Sequence, residues 1–283
     1  NRKNSFYHGV MFHHFHDNKK HFKSQGSINK STLEKLINYI GRKNIIDATE
    51  FLKKFRKNEL KKNHVCLTFD DSLKCQFDIA KPILDKFNIK AFFFVYTAWL
   101  KGEPNYIEIF RYFRSTFYKN VNFFYKDFFS HVEKRYNKIK VQNFLNKHHN
   151  ERLEWKKKFT YYSYQDINFR FIRDKFLGDK NYRFIMLDLI KKKDLNLNSL
   201  KNKFTLNKKE ILSLHKSGHL IGLHTHTHPF QFSSLKYSDQ RKEYLTNKKI
   251  LEKILKTKIS SVAHPCGSYN KDTLKILDSI GVQ

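Results

Sequence analysis

Cysteine, proline and glycine are scarce in this chain: three, four and nine among 283 residues. The three cysteines, Cys66, Cys75 and Cys266, are odd in number and form no C-x-x-C pair. That pattern excludes a disulfide scaffold and a cysteine-rich structural zinc site, and it fits a reducing compartment. Long apolar runs are missing too. The longest, "AFFFVYTAWL" (91–100), is too short to cross a bilayer as a helix. No charged, apolar and small-residue sequence resembles a signal peptide. The expected setting is cytoplasmic, although a chain opening on Asn1 leaves its native start unspecified. There is no internal repeat and no low-complexity linker, and 40% hydrophobic with 16% aromatic residues excludes a disordered polymer. The length allows one large domain or two small ones.

Positive charge is in excess. Lys and Arg number 56 against 26 Asp and Glu, for a formal net charge of +30 and a pI near 9.9. Such a field favours anionic partners, including phosphate-bearing carriers and membrane surfaces. The lysines are nevertheless scattered, and Lys, Asn, Ile and Phe are abundant together, as the codons of an AT-rich genome would produce. Scattered lysines without a recognised nucleic-acid motif argue against a nucleic-acid partner, which calls for clustered basic residues interleaved with stacking aromatics.

Along the chain, "SFYHGVMFHH" (5–14) reads as a first strand, and "STLEKLINYIG" (31–41) as a helix with Ser31 and Glu34 as its capping box. A short helix follows at 48–55, a buried strand at 65–69, a helix at 78–87 and another buried strand at 89–95. From about 101 to 205 the chain turns to Phe, Tyr, Lys and Asn in mixed helical patterns, expected to be an insertion or subdomain within a single domain spanning 1–283. Asn207 and Glu210 then open a helix, "HLIGL" (219–223) reads as a strand, 238–256 as a long amphipathic helix, 259–263 as a strand and 270–281 as a helix. Strand–helix alternation on both sides of the middle segment predicts a parallel α/β sheet or barrel.

Three short motifs stand where these strands end, the place where α/β folds bind ligands. "HTHTHP" (224–229) spaces three histidines at alternate positions. On a helical turn His224 and His228 share a face while His226 lies about 200° round from His224; on a strand all three face one way. The pair His224/His228 is the first candidate for a metal, and it needs a carboxylate from elsewhere. "TFDD" (68–71) supplies Asp70 and Asp71, which a turn can bring into one pocket so that one binds a cation and the other moves a proton. Those aspartates also suit a plain helix N-cap. "AHPCGSYN" (263–270) makes a turn that suits inward-facing backbone N–H groups, or an ordinary strand-to-helix connection.

Together, in this order, the three motifs resemble those of the polysaccharide deacetylase family with its NodB-homology fold. The flanks "ILDKFNIKAFFFV" and "LHKSGHLIGLHTHTHP" match as well, over roughly 1–95 and 206–283. The resemblance implies a distorted (β/α) barrel carrying a large, mostly helical insertion, with its last strand or strands falling beyond Gln283. It implies that Asp71, His224 and His228 bind one divalent metal, usually zinc, and that Asp70 is the base that takes a proton from the attacking water. The backbone N–H of Cys266 would donate to the oxyanion, Thr225 would brace the histidine loop, and Pro265, Gly267 and His264 would support the site. His226 is left as a pocket or outer neighbour.

Three departures accompany the likeness. Ala263 stands where many members have an arginine, Ser72 replaces a common glycine, and the family's proton-donating histidine would lie beyond Gln283, with His13, His14 and His264 as substitutes. The expected activity is metal-dependent removal of N-acetyl groups from an N-acetylated sugar or polysaccharide, such as a lipid- or nucleotide-linked precursor. The rivals are a non-catalytic glycan- or anion-binding module and a hydrolase of another C–N amide bond.

Overall fold

A computed structural model describes residues 8–17, 19–200 and 203–282. The chain divides into two compact units, one of Asn1–Asn105 with Lys201–Gln283 and the other of Tyr106–Leu200.

The first unit is built on a parallel sheet of four strands, β1 (His8–Phe12), β2 (Val65–Phe69), β3 (Phe92–Val95) and β4 (Leu220–Leu223), in spatial order β1-β2-β3-β4. The expected first strand begins at His8 within the described residues; 5–7 lie outside them. Register aligns Phe12 with Phe69, Phe69 with Phe93, and Val95 with Leu223, so β1 and β2 end level with each other, and β3 and β4 end level two residues further on. β3 is buried along its length, as expected of a parallel strand covered on both faces. Phe69 and Phe93 stack at 4.8 Å between centroids at the centre of the core. Gly222 is required by close approach: a Cβ there would meet Phe94 Cδ1 at 2.4 Å and Ser261 Oγ at 2.8 Å.

Helices α1 (Lys30–Ile40), α2 (Ala48–Arg56), α3 (Lys81–Lys86), α10 (Lys208–Lys216), α11 (Tyr237–Leu255) and α12 (Lys271–Ser279) belong to this unit. Two expectations are corrected. The cap of α1 is Asn29, whose side chain accepts from the Thr32 N–H, while Glu34 instead pairs with Lys86. Both Asn29 and Ser31 are good cap residues, so propensity alone does not choose between them. The stretch 259–263 makes one bridge, Leu223 to Val262, instead of a full strand. It is anchored by Leu223 N–H to Ser261 O (2.9 Å) and Ala263 N–H to Leu223 O (3.0 Å). The capping box Asn207/Glu210 is present on α10, and Asn270 caps α12.

The second unit is helical: α4 (Tyr106–Thr116), α5 (Val121–Tyr136), α6 (Lys138–Lys147), α7 (His149–Lys158), α8 (Tyr164–Phe171) and α9 (Gly178–Lys192). Its Phe and Tyr richness becomes a core of its own, with Phe113, Phe124, Tyr125, Phe128 and Phe169 all buried. Phe124, Tyr125 and Phe128 of α5 each lie within 5.5 Å of Phe169 on α8. The Tyr125 hydroxyl donates to the Asp166 carboxylate. Among the described residues no helix is long and apolar enough to cross a membrane.

Candidate active site

The Asp70 N–H donates to Phe12 O (3.1 Å), holding the ends of β1 and β2 together. Asp71 and Ser72 then turn through the left-handed region, at φ 71° and 58°. Side chains with a Cβ enter that region at a cost, so Ser72 is tolerated there by the surrounding bonds. Gln76, fully buried, supplies such bonds: its side-chain amide donates to Asp70 O (2.5 Å) and His13 O (3.0 Å).

At the end of β4 the histidine loop is also shaped by left-handed residues, Thr225 at φ 62° and His228 at φ 58°. The two histidines therefore meet through a tight non-helical turn, not on the face of a helical one. Thr225 is buried, and its hydroxyl accepts from the His228 N–H (3.1 Å). His226 lies elsewhere, its Nδ1 2.9 Å from Thr97 Oγ1.

These turns bring Asp71, His224 and His228 together. Asp71 Oδ1 stands 3.2 Å from His224 Nε2 and 3.0 Å from His228 Nε2. All three residues are buried, and their ligand atoms lie within 4.8 Å of one another. His13 Nε2 is 3.7 Å from Asp71 Oδ2, and His14 stacks beside His13 at 6.2 Å. His224 Nδ1 lies 2.9 Å from Ala263 O. A carbonyl can only accept, so Nδ1 carries a proton and Nε2 is the nitrogen turned to Asp71. This backbone carbonyl fixes the ring as outer partners of metal-bound histidines do. One carboxylate oxygen and two imidazole nitrogens form a donor set suited to zinc and related divalent ions.

Burial pushes the Asp70 carboxyl above the ordinary range, against the charge of His224, and the neighbouring Asp71 charge adds to the rise. Its Oδ1 is buried with no hydrogen-bond partner among the described residues. Asp71 goes the other way. Burial would raise it, but the His228 charge and the hydrogen bonds from His224 and His228 hold it well below the usual carboxylate range. For His224, burial is outweighed by the Asp71 hydrogen bond and the charges of Asp70 and Asp71, so its proton is held more tightly than usual. Two adjacent aspartates thus have opposed protonation behaviour, as a division into ligand and base requires.

The third motif forms a short turn, Pro265–Gly267, with Pro265 buried and Cys266 exposed at φ 54°. The Gly267 N–H donates to His264 O (3.0 Å). His264 Nδ1 is 2.8 Å from the Tyr244 hydroxyl, and its ring stacks on Tyr269 at 4.7 Å. Burial and the His224 charge push its pKa down to about 4. This turn reaches the histidine pair through Ala263 O.

Helix α11 supplies positioning groups that the sequence reading passed over. Asn247, fully buried, accepts from the His224 N–H (3.0 Å) and donates to Val95 O (2.9 Å) and Thr97 Oγ1 (3.1 Å). Glu243, one turn earlier, accepts from the N–H groups of His226 (2.8 Å) and Thr227 (2.7 Å). A signal was present in the sequence: Gln240 and Asn247 interrupt the buried stripe of Tyr244, Leu251 and Leu255. Polar residues on an inward face need buried partners.

A parallel α/β unit that gathers paired aspartates and two histidines at its strand ends defines the class of hydrolases to which sugar deacetylases belong. The sequence profile of the polysaccharide deacetylase family matches residues 57–112 and 178–283, more than half of the chain, and the chain belongs to that family. Its enzyme class is therefore polysaccharide N-deacetylase. Among solved structures, it is similar in fold to the Streptococcus pyogenes deacetylase PplD in complex with acetate, with 16% identity, 97% of this chain and 80% of that chain covered, and a TM-score of 0.53. The de-N-acetylase from Aggregatibacter actinomycetemcomitans is similar at 11% identity, 97% and 85% coverage, and a TM-score of 0.55. IcaB from Ammonifex degensii is similar at 14% identity, 98% and 84% coverage, and a TM-score of 0.54. No curated protein sequence matches the chain significantly.

Proposed function

We propose that the chain is a metal-dependent N-deacetylase that hydrolyses the acetamide of an N-acetylated sugar unit. Asp71, His224 and His228 are its ligands and zinc is its metal. The observation that carries this reading is the single Asp71 oxygen within 3.2 Å of both Nε2 atoms, with the buried Asp70, whose Oδ1 has no hydrogen-bond partner among the described residues, next to it in sequence. When bound, the metal supplies Lewis acidity and lowers the pKa of water at the site.

The rest of the chemistry falls to the chain. Asp70 takes the proton from the attacking water; its burial raises its basicity for that task. The Cys266 backbone N–H donates to the oxygen that becomes negative, a role for which side-chain identity is immaterial. Thr225 keeps the His228 backbone in its left-handed turn, while Pro265, Gly267 and His264 hold the third motif. His13, beside Asp71, lines the pocket. The net charge of +30 favours a substrate on an anionic lipid or nucleotide carrier.

Acetate release from a chitin oligosaccharide and from a nucleotide-linked N-acetylhexosamine tests the reading. Asp70→Asn should lower turnover by about 100-fold or more, since a general base contributes on that order, while zinc stays stoichiometric. Asp71→Ala and His228→Ala should lose zinc and activity together. Stoichiometric zinc in either variant contradicts the ligand assignment.

A further inference from the structure

We propose that the exposed C-terminal end of α2, with the loop that follows it, is a docking surface for an anionic lipid bilayer. Against the scatter of lysine along the chain this stretch stands out. Six of the ten residues 53–62, "KKFRKNELKK", are Lys or Arg and one is acidic, against 56 Lys and Arg in 283 residues overall. That density is about three times the chain's own, more than a chain-wide codon bias supplies. Phe55 sits among these cations and is 56% exposed, the only exposed phenylalanine of the first unit among the described residues.

The position of that ring follows from the helix. Ala48, Phe51, Leu52 and Phe55 fall at i, i+3, i+4 and i+7, a single stripe of α2. The first three pack around Cys66, Phe92 and Phe94 of β2 and β3, with Phe51 edge-on to Phe92 at 6.3 Å. Phe55 continues the stripe past that contact. The loop beyond is held in shape: Asn58 turns at φ 56°, the Glu59 N–H donates to Lys54 O (2.8 Å), the His64 N–H donates to Lys61 O (2.9 Å), and Leu60 is buried. The Arg56 guanidinium donates to Ser260 Oγ (3.2 Å), which brings the turn after α11, with Lys256 and Lys258, to the same end of the unit.

Lys53, Lys57, Lys61, Lys62, Lys256 and Lys258 are exposed and make no ion pair among the described residues, while Lys54 pairs with Glu50 (3.1 Å). Anionic headgroups complement such a patch, each Lys or Arg near the bilayer strengthening binding about fivefold. The ring adds the second element that stable attachment needs, an apolar anchor at the headgroup boundary with lysine stems beside it. Single-stranded nucleic acid fits less well, since it calls for several stacking aromatics and the patch presents one. The loop leads into Val65 at the start of β2, whereas the paired aspartates follow its other end, about 17 Å away along the strand. A protein seated by this face keeps its candidate active site clear of the lipid.

Flotation of the full chain with vesicles tests the proposal, using phosphatidylcholine alone or with about one-third phosphatidylserine, at about 0.1 and 0.5 M salt. The chain should float with the anionic vesicles at low salt, come off at high salt, and stay behind with phosphatidylcholine alone. Lys57→Gln with Lys61→Gln should weaken partitioning about 20-fold, and Phe55→Ser about tenfold, both melting as wild type does because these side chains are exposed. Lys208→Gln with Lys209→Gln, an equal loss of exposed charge on α10, should leave partitioning nearly unchanged. A loss as large there shows that net charge alone attracts the chain, and overturns the docking surface. So does failure to float with the anionic vesicles, or flotation of Phe55→Ser equal to wild type. Binding of a single-stranded oligonucleotide that the same substitutions weaken, without flotation, assigns the patch to nucleic acid and also overturns it. Should the double lysine variant fail to fold, Phe55→Ser decides alone. None of these measurements depends on acetate release.

Discussion

In the absence of metal, the His224 ring has acceptors at both nitrogens: Ala263 O at 2.9 Å from Nδ1 and Asp71 Oδ1 at 3.2 Å from Nε2. A carbonyl and a carboxylate both require a donor, so the ring is an imidazolium held by a carboxylate. A metal at Nε2 must displace that proton. Asp71, held well below its usual range, has none to give. Zinc binding should therefore release at least one proton per site at pH 6, the one on His224 Nε2, and affinity should rise at least about tenfold per pH unit below that, or about 1.4 kcal/mol per unit. Calorimetry of zinc binding to the metal-free protein, in buffers of different ionisation enthalpy at pH 5.5 and 6, measures the proton number directly. Release close to zero at pH 6, or zinc affinity independent of pH between 5 and 6, refutes the imidazolium and with it the arrangement of ligand protons argued from Ala263.

Three further outcomes follow from other contacts. Asn247→Ala should weaken zinc binding about 10- to 100-fold, the usual effect of losing a group that orients a ligand, and equilibrium dialysis will detect it. His219 is buried, accepts the Ala91 N–H at Nδ1 (3.1 Å), and has its pKa pushed down to about 4 by burial and the Lys90 charge. The folded ring refuses a proton that the unfolded ring takes near pH 6.5, so its stabilisation is present above 6.5 and is lost as pH falls toward 4. Urea unfolding at pH 7 and 4.5 should show wild type losing about 2 kcal/mol more than His219→Asn, which keeps an acceptor but cannot titrate; equal losses contradict this. Gly222→Ala should destabilise the first unit by about 1–3 kcal/mol in urea, because Phe94 blocks the added carbon.

The parts of the site legible in the sequence were those written in short-range pattern. TFDD, the spaced histidines and the proline–glycine turn each end a recognisable apolar run, and parallel register brings those ends together. Zinc, Asp70 as base and the Cys266 N–H are roles drawn from family resemblance and chemistry. Groups acting from a distance were not legible. Asn247 and Glu243 belong to a helix whose pattern reads as amphipathic, and only its packing against Thr97 and His224 gives them work. The cap of α1 was missed for a related reason: two neighbouring polar residues suited it equally. The strand at 259–263 was overread because apolar β-rich residues do not reveal how many ladder bonds a neighbour will offer.

Of the ten non-glycine residues with positive φ among the described residues, four lie in the three motifs, Asp71, Thr225, His228 and Cys266, and a fifth, Ser72, directly follows the first. Each such position costs about 1–3 kcal/mol, and for the β-branched Thr225 it is a true outlier. The loops thus behave like bent springs clamped at their ends by Gln76 and Asn247, and relaxation of either clamp would open the constellation before it unfolded the sheet. A search for heat-resistant variants would be drawn to glycine at Ser72 and Thr225, and would yield hardier proteins with slacker chemistry.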